Sequence, residues 1–295
     1  MKIGIVQMPV TDDKDENLSY AARCINECAK KGAEMVILPE MFVCPYTNTH
    51  FPVYAEEKGD KTWRALSEAA HNNSVLLVGG SVPEKDNGRI YNTSFIFSSS
   101  GGQIARHRKI HLFDIDIRGG QCFRESDVFS AGDSITVFEM NGIKIGVCIC
   151  FDMRFPELSR IMTLKGAQLI IAPAAFNMTT GPAHWELLFR QRAVDNQLYT
   201  IGAAPARNEN GPYVSYGNSI VVSPWGDVVC RASEKPVNIV IDIDLESIND
   251  IRSQLPLLSA RRTDLYNVVG SDKFPHEKLF KTWKISKRID TEIEN

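Results

Sequence analysis

Short apolar segments alternate with helical segments along much of this chain, and this alternation is the feature that most constrains its fold. The apolar segments have the length and composition of strands buried on both faces, and the first helical segment stops at Gly32. For the first third of the chain the pattern predicts, in order, a strand at Lys2–Met8, a helix at Asn17–Lys31, a strand at Met35–Leu38, a helix at Thr62–His71 and a strand at Ser74–Val78.

Beyond Tyr91 the pattern adds hairpins, because apolar segments there flank the turn dipeptides Gly101-Gly102 and Asn141-Gly142. Strands joined by hairpins, together with strands joined through helices, imply sheets covered by helices, hence an α/β layered sandwich. The predicted strands are Tyr91–Ser98, Gln103–Lys109, Ile135–Glu139, Ile143–Ile149, Gln168–Ala172, Tyr199–Ala203, Ser219–Ser223, Val228–Arg231 and Asn238–Ile243; the predicted helices are Pro156–Lys165 and Ala183–Asn196.

No repeat, low-complexity stretch or linker divides the chain before about Gly270. The sequence therefore predicts one domain over residues 1–270 and a C-terminal extension over residues 271–295. Composition is that of a globular protein, with 43% hydrophobic and 23% charged residues, which argues against intrinsic disorder.

The net charge is −3, so the chain lacks the excess of positive charge that is typical of proteins that bind nucleic acid. No apolar run approaches the roughly 20 residues of a membrane helix, and the N-terminus lacks a signal-peptide pattern. We therefore expect a soluble, cytoplasmic protein that binds neither nucleic acid nor a membrane.

The cysteines and histidines argue against a disulfide framework and against a metal site. There are seven cysteines, an odd number in a long chain. The chain has no C-x-x-C pair and no H-E-x-x-H motif, and only His107 and His111 lie close together among the histidines. The glycine-rich nucleotide-binding motifs and the G-x-S-x-G nucleophile elbow are also missing.

Cys150 is the most informative cysteine, because it ends a predicted strand shortly before Pro156, the predicted start of a helix. A thiol on a strand-to-helix turn lies near the positive end of a helix dipole, which favours the nucleophilic thiolate. The alternative is a buried structural cysteine, the usual state of this residue and our interpretation of Cys24 and Cys148. Taken alone, Cys150 leaves both interpretations open.

A nucleophilic cysteine needs a proton acceptor and a group that stabilises the oxyanion. Glu40 follows a strand and a proline, and Lys109 ends another strand, so both side chains could face a cleft at the strand ends. Each taken singly is more often a solvated loop residue. Considered together with Cys150, however, a carboxylate and a lysine would supply both functions without a metal.

Three sequence blocks containing these residues resemble those around the Glu-Lys-Cys triad of the nitrilase superfamily of carbon–nitrogen hydrolases. The resemblance extends from Lys2 to about Val268, and within the superfamily it is greatest to the omega-amidases, which hydrolyse 2-oxoglutaramate and 2-oxosuccinamate. The blocks are Ile37–Glu40, Arg108–Asp114 and Cys150–Glu157, and further similar segments are Asn177–Glu186, Arg192–Asn196, Ser223–Gly226 and Asp264–Tyr266.

The resemblance implies catalytic roles for five residues. In these terms Cys150 is the nucleophile that forms a thioester, Glu40 the general base and Lys109 the cation beside the oxyanion. Glu125 matches a second glutamate that orients the triad, and the backbone N–H of Phe151 would complete the oxyanion hole. The resemblance also implies a four-layer α-β-β-α sandwich that pairs across a helical face into homodimers, and no metal or organic cofactor.

The resemblance further implies a substrate pocket formed by Tyr46, Arg154, Phe176 and Thr180. A guanidinium binds carboxylate in a bidentate manner, so Arg154 suits a small-molecule amide with a carboxylate at its far end. The alternative for Arg154 is a surface ion pair with Asp152 or Glu157.

Three other functions remain open at this point. A deaminated-glutathione amidase of the same superfamily shares the residues after the cysteine, although Ile110–Asp116 and Phe176–Thr180 favour an omega-amidase. A true nitrilase usually has Trp-Glu after its cysteine, where this chain has Phe151-Asp152. An inactive scaffold of the same fold is disfavoured by the complete triad. The chain departs from the family pattern mainly in the length of its segment Ser271–Asn295.

Overall fold

The computed structural model describes residues 1–118 and 121–270. In these residues the strands are β1 Lys2–Gln7, β2 Met35–Ile37, β3 Glu56–Glu57, β4 Leu76–Val78, β5 Val82–Asp86, β6 Arg89–Phe97, β7 Gln103–Arg108, β8 Asp114–Asp116, β9 Cys122–Arg124, β10 Thr136–Met140, β11 Ile143–Val147, β12 Leu169–Pro173, β13 Tyr199–Ala203, β14 Ile220–Val222, β15 Val228–Arg231 and β16 Val237–Asp242. The α-helices are α1 Lys14–Lys30, α2 Phe51–Tyr54, α3 Lys61–Asn73, α4 Pro156–Leu164, α5 Gly181–Asn196 and α6 Ser247–Gln254.

Two large sheets organise these strands. The first has the order β16-β1-β2-β4-β6-β5-β3, with β7 also paired to β6, and the second has the order β10-β11-β12-β13-β14-β15. Strands joined through helices are parallel, as in β1–β2–β4 and β11–β12–β13, whereas the hairpin strands are antiparallel. The last strand, β16, returns to pair with β1, so the first and last strands both belong to the first sheet.

The two sheets face each other across one apolar core. Ile3, Ile5 and Ile37 of the first sheet pack in the same buried cluster as Val147 and Ile171 of the second. Alternate residues of the same strands point outward to a helical layer, because side chains alternate across a strand. The outer faces are covered by α1 and α3 on the first sheet and by α4 and α5 on the second. This confirms the predicted α-β-β-α sandwich.

Close contact between layers requires small residues on the strands. A Cβ added at Gly4 would lie 2.8 Å from the Cβ of Cys28 on α1, and one added at Gly202 would lie 2.6 Å from the Phe189 ring on α5. Substitution at either position would therefore push a helix away from its sheet.

Both predicted hairpins are present, and most element boundaries lie within a few residues of those predicted. The first helix begins at Lys14 rather than Asn17, because the Asp13 carboxylate caps it by accepting from the backbone N–H groups of Asp15 and Glu16. The prediction omitted the strands β3, β5, β8 and β9 and the helices α2 and α6. Strand β5 contains Pro83, a residue that argues against a strand, although here it pairs with Asn92 of β6.

Among the described residues, no helix is long and apolar enough to cross a membrane. Leu187 and Val194 on α5 are exposed, as is Trp225 in the turn between β14 and β15. Pairing of two chains across a helical face stays a prediction. The predicted extension 271–295 lies outside the described residues.

Candidate active site

The four residues predicted to be catalytic lie together, close to where strands of the two sheets end. Glu40 follows β2, Lys109 follows β7, and Cys150 follows β11. Glu125 begins a short 3₁₀ helix directly after β9. Glu40, Lys109 and Glu125 have no exposed surface, and Cys150 retains only 4%. The site is therefore assembled inside the protein, from groups that are far apart in the sequence.

Lys109 lies between the two glutamates. Its Nζ is 3.0 Å from Glu40 Oε1 and 2.9 Å from Glu125 Oε2, and it also contacts the Tyr46 hydroxyl at 3.3 Å. Burial alone would lower the pKa of Lys109, but the charges of Glu125 and Glu40 outweigh burial and raise it. Lys109 is thus a permanent cation at neutral pH.

Glu40 receives hydrogen bonds at both oxygens. Its Oε2 accepts from the backbone N–H of Ala175 at 2.7 Å, while Oε1 accepts from the Asn92 amide at 2.9 Å and from Lys109. Burial raises the pKa of Glu40 above its ordinary value, although Lys109 opposes the shift. This carboxylate is consequently a stronger base than an exposed glutamate.

Glu125 is anchored by the backbone as well as by side chains. Its Oε2 accepts from the Phe113 backbone N–H at 2.6 Å, and its Oε1 accepts from the hydroxyl of Tyr46 at 2.8 Å and from Asn92 at 3.2 Å. A glutamate held in this way can fix the position of Lys109. The orienting role that the resemblance implies for Glu125 stays a prediction.

Cys150 has a left-handed backbone conformation, with φ of +47°, and begins a 3₁₀ helix over Cys150–Arg154 that precedes α4. Few non-glycine residues adopt such a conformation, and they are concentrated at functional sites. Phe151 lies in the first turn of this helix, where backbone N–H groups have no partner within the helix. Its amide is therefore suitable for an oxyanion hole.

The helix dipole favours the Cys150 thiolate, but burial acts in the opposite direction. Burial, followed by the negative charge of Glu40, raises the pKa of the Cys150 thiol well above its ordinary value despite the charge of Lys109. The thiol donates a hydrogen bond to Glu40. The sequence argument considered the helix dipole but could not include desolvation, which dominates at a fully buried thiol.

Three of the predicted substrate residues share one small space with Cys150. This space is lined by Phe113, Cys150, Phe151, Arg154, Ala175, Phe176 and Thr180 and has a volume of about 10 Å³. A larger cleft of about 450 Å³ reaches Glu40, Tyr46 and Ala175 from the other side but does not include the thiol. Ala175 lines both spaces.

Arg154 has no carboxylate partner among the described residues, so the alternative of an ion pair with Asp152 or Glu157 is not what the structure shows. Its guanidinium lies over the rings of Phe176 and Phe151, at 4.9 and 5.5 Å, and its Nη1 is 3.0 Å from Nδ1 of His184. The arginine therefore contributes an unneutralised positive charge to the wall of the Cys150 space.

The two predicted hydroxyl residues occupy different places. Tyr46 lies among the glutamates rather than beside Arg154, with its hydroxyl 2.8 Å from Glu125 Oε1 and 3.2 Å from Glu40 Oε1. Thr180 lines the same space as Arg154, and its hydroxyl donates to the Asn177 side chain at 3.0 Å. Neither proton is free for a substrate in this structure.

Sequence reasoning missed Asn92, whose amide donates to both Glu40 and Glu125 from the middle of β6. It also missed Tyr213, whose hydroxyl donates to the carbonyl of Ala175 at 2.5 Å. The run Asn92-Thr93-Ser94 inside an otherwise apolar strand is a signal that could have indicated Asn92, because buried polar residues need partners. Tyr213 lies in a loop with no such signal.

Among the described residues, no cluster of three or more His, Cys, Asp or Glu side chains has the arrangement of a metal site. The site consists of the buried Cys150 thiol, which is hydrogen-bonded to the Glu40 carboxylate, and of a lysine. Lys109 is held by both the Glu40 and the Glu125 carboxylates. This combination can activate a thiol, transfer a proton and stabilise a negative oxygen.

Comparison with known proteins defines the class of this fold and site. The family model for carbon–nitrogen hydrolases matches residues 2–253, so the chain belongs to the carbon–nitrogen hydrolase family, as the sequence resemblance predicted.

The proteins similar in sequence to this chain include omega-amidases. The chain is 49% identical to "Omega-amidase NIT2" of Xenopus tropicalis over 90% of this chain and 97% of the relative, and 45% identical to "Omega-amidase NIT2" of Homo sapiens over the same shares. Among solved structures, Nit3 of Saccharomyces cerevisiae, described as a member of branch 10 of the nitrilase superfamily, superposes with a TM-score of 0.82 at 41% identity, covering 89% of this chain and 96% of that one.

Proposed function

We propose that this protein is an omega-amidase, which hydrolyses the terminal amide of small α-keto dicarboxylate mono-amides such as 2-oxoglutaramate and 2-oxosuccinamate to the acid and ammonia. The observation that carries the proposal is Arg154, an unneutralised cation in the wall of the same space as the Cys150 thiol. A substrate with an amide at one end and a carboxylate at the other matches these two groups. The names of the similar proteins support the same substrate class.

In the first half of the reaction, Cys150 Sγ attacks the amide carbon while the thiol proton passes to Glu40. Burial raises the pKa of both groups, and the hydrogen bond between them gives the proton a direct path from the sulfur to the carboxylate. The negative oxygen of the tetrahedral intermediate is stabilised by Lys109 Nζ and the Phe151 N–H. Glu40 then delivers its proton to the leaving nitrogen, and ammonia departs from a thioester.

In the second half, water attacks the thioester carbon and gives a proton to Glu40. The tetrahedral intermediate again places its oxygen at Lys109 and Phe151, and it collapses with release of the carboxylic acid. The proton on Glu40 returns to the Cys150 sulfur, which restores the resting thiol. Lys109 keeps its proton throughout, because the two glutamates raise its pKa, so it acts as a fixed charge rather than as an acid.

The substrate carboxylate is held by Arg154 in this proposal. Arg154 makes no ion pair with a described residue, and its contact with His184 is its one hydrogen bond from the side chain to a described residue. If that contact breaks or the Arg154 side chain rotates slightly, the guanidinium is free to bind a carboxylate through two hydrogen bonds. The surrounding aromatic rings of Phe151 and Phe176 reduce water access and so strengthen the charge interaction.

Arg154→Met is expected to impair hydrolysis of 2-oxoglutaramate far more than hydrolysis of a neutral short-chain amide. Leaving a desolvated carboxylate without its partner costs about 2–5 kcal/mol, which is roughly two to three decades in kcat/KM. Steady-state kinetics of both substrates test this, with Arg190→Met on the exposed side of α5 as the control. Equal losses on the two substrates would show that Arg154 has a structural role and would remove the basis for an anionic substrate.

A further inference from the structure

Asp152 is a completely buried carboxylate that the mechanism above does not use. It lies two residues after Cys150 and is hydrogen-bonded to His107 and His111, on either side of Lys109. Four donors converge on it: the backbone N–H groups of Ile149 and His111, both at 2.9 Å, His107 Nε2 at 3.0 Å and His111 Nδ1 at 2.8 Å. Every lone-pair direction of this carboxylate is thus occupied.

The positions of these donors are informative. Ile149 immediately precedes Cys150, whose φ of +47° is an unfavourable conformation that must be maintained by its surroundings. His107 and His111 are two residues before and two residues after Lys109. One carboxylate therefore connects the backbone at the nucleophile to both sides of the lysine.

The two imidazole rings are themselves held in place. His107 is fully buried, and its Nδ1 lies 3.1 Å from the Thr136 hydroxyl, which donates to the Arg106 carbonyl at 3.1 Å. The His111 ring stacks on Phe155, with 3.6 Å between centroids. Burial would raise the pKa of Asp152, but the hydrogen bonds from His107 and His111 lower it, so this group remains ionised.

We propose that Asp152, acting through Ile149, His107 and His111, is a positioning residue that fixes the distance between the Cys150 sulfur and the Lys109 ammonium. The inference rests on the proposed function, since it assumes that these two groups act on one substrate. It assigns to Asp152 no contact with the substrate. Its effect is on the alignment of nucleophile and cation, which must be correct when the tetrahedral intermediate forms.

The test is Asp152→Asn, which keeps the shape of the side chain but can accept at only one oxygen. The amide nitrogen then faces donors, and two of the four contacts are lost or reversed. We expect kcat for 2-oxoglutaramate to fall by about 10²-fold, the loss associated with a misplacement of about 1 Å, with KM changed by less than about threefold because Arg154 is untouched. The matched control is Glu157→Gln, which makes the same change from carboxylate to carboxamide at an exposed position five residues away. This variant should behave as wild type.

A merely structural role would lower the amount of folded protein without altering its turnover. The rate is therefore expressed per reactive Cys150, counted by stoichiometric alkylation with iodoacetamide and peptide mapping. If Asp152→Asn does not fold, His111→Phe provides the second variant, because it keeps a ring on Phe155 and removes one of the four bonds. It should lower kcat by a smaller factor, again with little change in KM.

Wild-type kcat per reactive Cys150 in the folded variants would overturn the inference. So would a loss confined to KM. The proposed function fails separately, if Cys150→Ala remains active or if the wild type releases no ammonia from 2-oxoglutaramate. A dead Cys150→Ala protein combined with an unimpaired Asp152→Asn protein would refute only the positioning role.

Discussion

Replacing Cys150 with alanine is expected to abolish ammonia release while leaving the fold intact. The variant has no atom that can form the thioester, and direct attack by water would have to replace the covalent route. Loss of a covalent nucleophile costs on the order of 10⁴-fold or more in kcat. Ammonia release measured on protein with an unchanged circular dichroism spectrum tests the prediction.

Cys148→Ala is the matched control for this change. Cys148 lies two residues earlier, is equally buried, and burial raises its pKa too, but it is not part of the proposed mechanism. The control should keep near-normal turnover. If activity survives in Cys150→Ala and disappears in Cys148→Ala, Cys148 rather than Cys150 is the nucleophile, and the mechanism is refuted.

Glu40→Gln is expected to lower kcat by about 10²–10⁴-fold, because it removes the group that accepts the thiol proton and returns it to ammonia. In the wild type the carboxylate must be ionised to act, so kcat/KM should fall as the pH drops through the pKa of Glu40. Burial raises that pKa, so the loss should begin at a higher pH than for an ordinary glutamate.

The pH profile separates this role from a structural one. The residual activity of Glu40→Gln should lack the acidic limb seen in the wild type, whereas the exposed control Glu57→Gln should retain it. An unchanged acidic limb in Glu40→Gln would assign that limb to another group and would contradict the role of Glu40 as the base.

The layers of the fold were predictable because their signal is local. In apolar segments such as Gln168–Ala172 and turns such as Asn141-Gly142, the neighbouring residues determine the local conformation. The structure contains β12 and the β10–β11 hairpin at these places. Strand β5 was not predictable in this way, because a proline within a segment argues against a strand, whereas Pro83 lies opposite Asn92 of β6.

The composition of the site was predictable from the ordered blocks around Glu40, Lys109 and Cys150, but its electrostatics were not. Whether the thiol is ionised depends on how much water the fold excludes, and this is a property of the packed layers rather than of the residues after Cys150. The same is true of Asp152, which the sequence suggested only as an ion-pair partner of Arg154. Its actual partners are His107 on β7 and His111 in the loop after that strand.

The central claim is that this protein releases ammonia from an amide that carries a carboxylate at its other end. The most direct measurement is ammonia release by the wild type from 2-oxoglutaramate, glutamine, deaminated glutathione and a simple nitrile, compared side by side at equal concentrations. The account predicts that 2-oxoglutaramate has the highest kcat/KM of the four. A higher kcat/KM for any of the other three compounds, or no release from 2-oxoglutaramate, would contradict it.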